Sequence, residues 1–506
     1  MKKNLIFIQS DQHNYNCLGC NGDEVVNTPN LDKLAKKGIS FTNVYSASPI
    51  CVPSRMSFLT GMMPYENEIW TNDQILNSAI PTYAHAMGAG GYNPIQFGRL
   101  HLNGIDQYHG FTERYVGDHN RNHLGSPREP GTHNSELKGT AGPSRISLKK
   151  SGIGLSAYEI HDRVVTDTVI DYLKNNKTKL LNSDKGFSIS IGYMLPHQPY
   201  ICSQNLYEKY EKKINLPKVD SELIEECHSY IKWWREKTDT VNVSTDEIKR
   251  CRIAYWALVE VLDSMIGEII NILEKLDLIE NTLIVYTSDH GDQLGEHGLW
   301  WKQTFYEDSV KVPVIISSNN NFPNGEINNR IISHYDIMET MLDLTDCPKL
   351  TRSKGKSLKQ LINNPKDKNW DDIVFSEYCT DDSSLANYSS NLGGKDIHSK
   401  EGGVQNRMIR YKNWKFNYYE GYKSQLFDLD NDPKELDDLY QSKACNDIKD
   451  KLHRMIKKSW DPKLIHKKMI LLKKEQLLQQ KWANKTDPPD QLRWNLDPNT
   501  QSSKLY

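Results

Sequence analysis

The stretch CVPSRMSFLTG, residues 51–61, is typical of a cysteine placed at the start of a short helix. Pro53 suits the first helical position, because the N–H that proline lacks would be unpaired there. Gly61 suits the far end, where a left-handed residue is favoured. A helix N-terminus presents free N–H groups and a partial positive charge, and Arg55 adds a fixed cation. The stretch therefore predicts a place where an oxyanion is held beside a nucleophile, Cys51.

Composition narrows the class of protein. The chain has 506 residues with a net charge of −2, which gives no field for nucleic acid or an anionic membrane. The apolar run at residues 5–8 is shorter than the roughly 7–15 residues of a signal-peptide core, and no run approaches the ~20 residues of a membrane span. Nine cysteines, an odd number, agree with a reducing compartment. We therefore expect a cytoplasmic enzyme that binds neither nucleic acid nor membrane.

Two predicted strands end in polar residues. Residues 4–10 and 283–287 are short apolar runs without polar alternation, which is typical of buried strands. Asp11-Gln12 follows the first run, and Ser288-Asp289-His290 ends the second. Ligands bind at the carboxyl ends of strands in α/β sheets, so these residues are candidates for a site. For Asp11 and Gln12 alone, a turn with solvated side chains is an equal alternative.

Two further segments, and the single residue Lys302, are candidates for the site. A predicted strand ends in Gly98 and is followed by Arg99 and His101. His197 lies between two prolines, which stiffen the loop and fix the direction of its imidazole. Taken singly, the two histidines are also compatible with a strand end and a turn, and Lys302 with a surface lysine.

These segments together resemble a known family. Cys-x-Pro-Ser-Arg followed by Leu-Thr-Gly resembles the sulfatase motif, whose cysteine is oxidised to formylglycine after synthesis. Asp-Gln at 11–12, Gly-Arg-x-His at 98–101, Pro-His-x-Pro at 196–199 and SDHGDQLGEHGLW at 288–300 resemble its other motifs in the family's order. The chain is identified as a member of the type I sulfatases of the alkaline-phosphatase superfamily, closest in motifs to the choline-sulfatase-like branch.

The resemblance implies an α/β fold with a large mixed sheet flanked by helices and a smaller C-terminal α+β domain. We place the catalytic sulfatase domain at 1–365 and the C-terminal subdomain with its helical tail at 366–506. Strands are predicted at 373–379, 405–411 and 413–419. The basic tail after residue 460 is predicted to be helical and to wrap its own domain or a neighbouring subunit. The sequence leaves a homo-oligomer open.

The resemblance also implies the chemistry. It assigns one divalent metal, held by the residues at 11, 12, 289 and 290 and by the modified cysteine; oxygen ligands favour Ca²⁺, and the histidine leaves Mn²⁺ open. A hydroxyl of the hydrated formylglycine attacks sulfur. His197, together with Lys302, protonates the leaving alcohol, and His101 takes the remaining hydroxyl proton. The implied catalytic residues are Cys51, Arg55, His101, His197 and Lys302, with Arg99 binding substrate and Asp11, Gln12, Asp289, His290 and Cys51 binding metal.

The expected substrate is the sulfate monoester of a carbohydrate or small alcohol, and the expected partner is a formylglycine-generating maturation enzyme. Residues 116–150 contain no Trp, Tyr or Phe for a cage around a quaternary ammonium, which favours a sulfated sugar over choline sulfate. Residues 383–403 are a candidate specificity loop. Two alternatives remain: a phosphonate monoester or phosphodiester hydrolase with the same machinery, and a sulfated-glycan binder whose Cys51 is never modified.

Overall fold

The computed structural model describes residues 3–123, 137, 139–182, 184–217, 227–318, 322, 324–380 and 403–497. Residues 383–402 of the candidate specificity loop, and part of the segment 116–150, lie outside these residues. The strands before residue 340 are β1 (Asn4–Asp11), β2 (Gly38–Tyr45), β3 (Pro94–Gly98), β4 (Glu113–Tyr115), β5 (Gly152–Ile153), β6 (Ser188–Pro196), β7 (Ile201–Cys202), β8 (Thr282–Ser288), β9 (Lys311–Ser318) and β10 (Glu326–Ser333).

Within the described residues, eight of these strands form one sheet in the order β10-β2-β9-β8-β1-β6-β3-β4. β9 runs antiparallel to both of its neighbours, β2 and β8. The other neighbouring pairs are parallel. The predicted large mixed sheet is therefore confirmed. β5 and β7 pair separately as a short parallel ribbon.

Helices cover both faces of this sheet. The α-helices described before residue 365 are α1 (Pro29–Lys36), α2 (Cys51–Thr60), α3 (Pro64–Asn67), α4 (Tyr83–Ala89), α5 (Arg145–Lys149), α6 (Ala157–Asn175), α7 (Lys177–Leu181), α8 (Gln204–Glu211), α9 (Ser229–Lys237), α10 (Thr245–Lys275), α11 (Glu307–Val310), α12 (His334–Leu344) and α13 (Lys359–Asn363). Among the helices described, none is both long and apolar enough to serve as a membrane span.

The central strand β1 shows why its sequence lacks polar alternation. Leu5 and Phe7 pack into the core on one face, with residues of α2, α4 and α12. Ile6 and Ile8 pack into the core on the other face, with residues of α6 and α10. Because side chains alternate along a strand, a strand covered on both sides is apolar throughout.

A second sheet follows β10 and α13. It is antiparallel in the order β11 (Ile373–Thr380), β12 (Val404–Tyr411), β13 (Trp414–Tyr419) and β14 (Gln425–Asp428). The helices α14 (Asn446–Lys457) and α15 (Pro462–Thr486) complete this region. The predicted α+β character of the C-terminal region is confirmed. The boundary at 365/366 falls between α13 and β11 and stays a prediction.

One detail of the α2 stretch differs from the sequence-based expectation. α2 begins at Cys51, so Pro53 is its third residue rather than its first. Gly61 ends that helix in the left-handed conformation, with φ 68°, as expected. Further along the chain, α10 begins at Thr245, because Ser244 and Glu247 form a capping box that fixes its start.

Candidate active site

Two carboxylates meet at one edge of the large sheet. β1 and β8 are neighbouring parallel strands, with Ser10 paired to Ser288. The residues that follow, Asp11 and Asp289, therefore emerge side by side, and both are fully buried. One oxygen of Asp289, Oδ1, accepts hydrogen bonds from the backbone N–H groups of Gln12 and His290, at 3.0 and 2.9 Å. The strand ends thus hold both side chains in fixed directions.

The start of α2 brings Cys51 to these carboxylates. Its Sγ lies 3.7 Å from Asp11 Oδ1 and 3.2 Å from His290 Nε2, and the residue is 1% exposed. Ser54, one turn of helix further, donates its hydroxyl to the Asp289 carbonyl oxygen at 2.6 Å. This hydrogen bond fastens the helix to the end of β8, directly beside Cys51.

Four of the five predicted metal ligands form one cluster. Donor atoms of Asp11, Cys51, Asp289 and His290 all lie within 4.8 Å of one another, and all four residues are buried. Two carboxylates, an imidazole and the group at position 51 suit a divalent cation such as Ca²⁺ or Mn²⁺. The residues present therefore fit the metal that the sequence implies.

Gln12, the fifth predicted ligand, lies in the left-handed region with φ 67°. Its amide nitrogen donates to Asp292 Oδ2 and Gln198 Oε1, at 2.6 and 2.7 Å. Its amide oxygen accepts from Lys302 Nζ at 2.6 Å. Gln12 thus presents an oxygen toward the lysine, which itself lies 3.1 Å from Cys51 Sγ.

The guanidinium of Arg55 donates its hydrogen bonds to protein acceptors, including the carboxylates of Asp11 and Asp289. Its Nε donates to Asp289 Oδ2 at 2.8 Å, and its Nη2 donates to Asp11 Oδ2 at 3.2 Å. Further donors reach Gln9 Oε1 and the Ser10 carbonyl oxygen. Most of its fork is therefore committed to protein acceptors, so in this arrangement Arg55 positions the two aspartates.

Arg99 links Asp11 to His101. Its Nε donates to Asp11 Oδ2 at 2.5 Å, and its Nη2 lies 2.8 Å from His101 Nδ1. Because arginine only donates, His101 accepts at Nδ1, and its neutral ring carries the hydrogen on Nε2. Burial, reinforced by Arg99, holds the pKa of His101 well below its usual value. Accepting a proton at Nε2 requires the other tautomer, in which Arg99 no longer donates to Nδ1.

His197 faces the same cluster from the end of β6. Its Nδ1 lies 2.6 Å from the Gln198 carbonyl oxygen, and its ring also forms a hydrogen bond with the Cys51 thiol. Burial lowers the pKa of His197, and Lys302 lowers it further, while Asp11 opposes both. The ring of Tyr158 packs edge-on against His197 at 5.7 Å between centroids. The Gln198 carbonyl oxygen and the Tyr158 ring thus hold the imidazole beside Cys51.

Burial and neighbouring charges set the protonation states of Asp11 and His290, two of the predicted metal ligands. Burial raises the pKa of Asp11, but Arg99, His197, Arg55 and Lys302 together outweigh burial and hold it well below its ordinary 3.8. Burial lowers the pKa of His290 to about 4, against the effect of Asp289. Near neutral pH the aspartate is therefore ionised and the imidazole neutral, as metal ligation requires.

A buried loop supports His101 from behind. Asp118 Oδ2 accepts from the backbone N–H groups of Leu100 and His101, at 3.2 and 2.8 Å. The C-terminal tail covers this loop, since Trp494 donates its backbone N–H to the Asp118 carbonyl oxygen and Asp490 accepts from the Asn122 N–H. The tail therefore folds back onto the same chain, against a loop of the predicted catalytic domain 1–365.

The structure brings together the ten site residues proposed from the sequence. It adds residues that motif reasoning did not assign: Asp118 behind His101, and Asp292, Gln198 and Tyr200 around Gln12. Asp292 and Gln198 lie inside motifs, so their positions were visible. Their partners were not, because each bond joins residues at least 90 positions apart in the chain.

Comparisons with known proteins identify the family to which the chain is similar. The sulfatase family profile matches residues 3–347, and the profile for the C-terminal region of N-sulphoglucosamine sulphohydrolase matches residues 295–461. The choline-sulfatase of Rhizobium meliloti (strain 1021) is 30% identical over 456 residues, which cover 87% of this chain and 83% of that protein. The chain belongs to the sulfatase family.

Other relatives of this sulfatase extend the comparison. The arylsulfatase of Clostridium perfringens is 27% identical over 491 residues, covering 90% of this chain and 94% of that protein. The crystal structure of the phosphonate monoester hydrolase of Agrobacterium radiobacter superposes with a TM-score of 0.70 at 19% identity, covering 96% of each chain. The family places this sulfatase among the sulfuric ester hydrolases, and the superposition confirms the predicted fold class.

Proposed function

We propose that this sulfatase hydrolyses the sulfate monoester of a carbohydrate or small alcohol, with Cys51 converted to formylglycine and one divalent metal bound beside it. The observation that carries the proposal is the cluster of Cys51 with Asp11, Asp289 and His290 inside 4.8 Å, with Lys302 at 3.1 Å from Cys51 Sγ. A nucleophile, metal ligands and a cation for an oxyanion converge there on a buried site.

Each residue has a role in this proposal. In this structure the thiol of Cys51 stands in for the hydrated aldehyde, which supplies a hydroxyl nucleophile. Asp11, Gln12, Asp289 and His290 would hold the metal, most simply Ca²⁺ with Mn²⁺ as the second choice, and the metal would polarise a sulfate oxygen.

The remaining side chains bind and move protons. Lys302 neutralises a sulfate oxygen, and Arg99 contributes once Asp11 turns to the metal. His197 in its imidazolium form donates the proton on Nε2 to the departing alcohol oxygen, while its Nδ1–H stays on the Gln198 carbonyl oxygen. His101 accepts the hydroxyl proton that sets sulfate free, after Arg99 has released its Nδ1. Arg55 keeps both aspartates aligned throughout.

The test is mass spectrometry of the peptide containing Cys51, from protein co-expressed with a formylglycine-generating enzyme, combined with an aryl sulfate assay. We expect a loss of about 18 Da relative to the thiol, together with sulfate release that a chelator abolishes and Ca²⁺ or Mn²⁺ restores. An unmodified Cys51 and no turnover under these conditions would overturn the proposal in favour of a sulfated-glycan binder.

A phosphonate monoester or phosphodiester hydrolase is the second candidate, because the same ligand set with Gln12 serves either ester. Relative kcat/KM for phenyl phosphonate esters and aryl sulfates separates the two, and we expect the sulfate to be preferred. The cytoplasmic location stays a prediction from the sequence, and a homo-oligomer stays open.

A further inference from the structure

Asp292 takes no part in the proposed reaction, yet it is fully buried next to the site. It lies two residues after His290, where β8 has ended. Its Oδ2 accepts from Gln12 Nε2 at 2.6 Å. A buried carboxylate that contacts a predicted ligand, and is not itself a ligand, calls for a physical reason.

Asp292 is itself held firmly. Its Oδ1 accepts the backbone N–H groups of Leu294 and Trp301, both at 3.1 Å. Its Oδ2 accepts the hydroxyl of Tyr200 at 2.7 Å, in addition to the Gln12 amide. These donors fix the orientation of the carboxylate, so Gln12 must adapt to Asp292 rather than the reverse.

A carboxylate accepts hydrogen bonds and an amide oxygen cannot donate one, so only the amide nitrogen of Gln12 can face Asp292. The second acceptor at that nitrogen is Gln198 Oε1, at 2.7 Å. The amide oxygen is thereby directed to the opposite side, where it accepts from Lys302 Nζ at 2.6 Å. Lys302 in turn contacts Cys51, so this side faces the cluster.

We infer that Asp292 is a positioning residue that fixes the amide of Gln12 with its oxygen toward the metal, making Gln12 a neutral oxygen ligand. The inference rests on the proposed function, because it concerns the metal of that site. An asparagine at 292 offers a donor and an acceptor and would not select one orientation of the amide. Conversely, a Gln12→Glu carboxylate has oxygen at both ends and would repel Asp292.

Each substitution should weaken binding alone, and the two should compensate for each other when combined. Asp292→Asn removes the selection, and we expect the Kd for Ca²⁺ to rise about 10- to 100-fold. Gln12→Glu alone sets two carboxylates against each other and should also weaken binding. In the double variant Asp292→Asn/Gln12→Glu, the carboxamide donates to the new carboxylate, whose other oxygen reaches the metal. We expect its Kd within about threefold of the native value, a strong departure from additivity.

The experiment is isothermal titration of the full-length protein with CaCl₂ and MnCl₂, with melting curves to show that each variant is folded. Tyr200→Phe is the matched control, since it removes one hydrogen bond to the same oxygen and keeps the carboxylate; its Kd should change less than about threefold.

The outcomes separate this inference from the proposed function. If the native protein binds Ca²⁺ and Asp292→Asn binds it equally well, the metal site stands and the inference is overturned. A folded double variant as weak as the single variants would also overturn it. If the folded native protein binds neither cation, the metal of the proposed function and this inference fall together.

Discussion

Two buried clusters of charge lie in this sulfatase, and they differ in what their lysine contacts. In the active site, Lys302 contacts the neutral oxygen of Gln12 and the Sγ of Cys51. Between the large sheet and the C-terminal region, Lys415 contacts the carboxylates of Glu307 and Glu435, at 2.9 and 2.7 Å. Burial of a lysine therefore does not by itself mark an active site, and what distinguishes Lys302 is its contact with the predicted nucleophile Cys51.

The largest contrast comes from removing the nucleophile. Cys51→Ala should reduce aryl sulfate turnover by more than about 10³-fold, because no other group can form the ester bond to sulfur. The melting temperature should change by only a few degrees. Cys251→Ala is the matched control, since Cys251 is equally buried but on α10, with the Leu148 carbonyl oxygen as its partner. Equal turnover in the two variants would remove Cys51 from catalysis.

The next effect is on stability. Lys415→Met leaves two carboxylates buried without their cation, and we expect the free energy of unfolding to fall by about 3–5 kcal/mol. Turnover per folded molecule should remain native, measured at a temperature well below the transition. A marked loss of turnover in folded protein would mean that this cluster acts on the active site.

Lys302→Met should show the reverse pattern. Loss of a cation aimed at the developing oxyanion should lower kcat by about 10²–10³-fold. The loss of stability should be smaller than for Lys415→Met, because the groups left behind are a neutral amide and a thiol or its derivative. Parallel denaturation curves and turnover assays of the two methionine variants check this directly. Identical stability losses would contradict the distinction between the clusters.

The smallest effect is a dependence of stability on pH. Burial raises the pKa of Glu435 above its ordinary 4.5, against Lys415 and with support from Glu307. The folded state therefore binds an extra proton, and this contribution to stability is present below about pH 4.5 and is lost as the pH rises through the raised pKa. Glu435→Gln keeps the side chain neutral. Its stability relative to the native protein should rise by on the order of 1 kcal/mol between about pH 5 and 8. A difference that is constant with pH would show that Glu435 ionises normally.

Much of the fold and of the candidate site could be predicted from the sequence, because patterns within short segments indicate the strands and the residues at their ends. The apolar run of β1 and the turn after it predict a strand end with Asp11, and the same holds for β8 and Asp289. Their meeting could not be derived from either segment, since it depends on the order of strands in the sheet. The family resemblance instead assigned both segments to one metal site, without giving the order of the strands.

What the sequence did not yield lies in long-range hydrogen bonds. Nothing near Gln12 shows that Asp292 and Gln198 would hold its amide, since these partners are 280 and 186 residues away. Nothing near Arg55 shows that its fork would be used on carboxylates instead of sulfate. Such roles depend on which hydrogen-bond donors remain free once the chain has folded, and these can be identified only in the structure.

The burial of Cys51 also sets an order in time. A side chain that is 1% exposed cannot enter the active site of another enzyme. The segments that enclose it include residues 289–302, more than 230 positions later in the chain. The oxidation that we propose therefore has to take place while the chain is still being made or is not yet folded. In a molecule that folds first, Cys51 stays a thiol, and we expect that molecule to be inactive for as long as it remains folded.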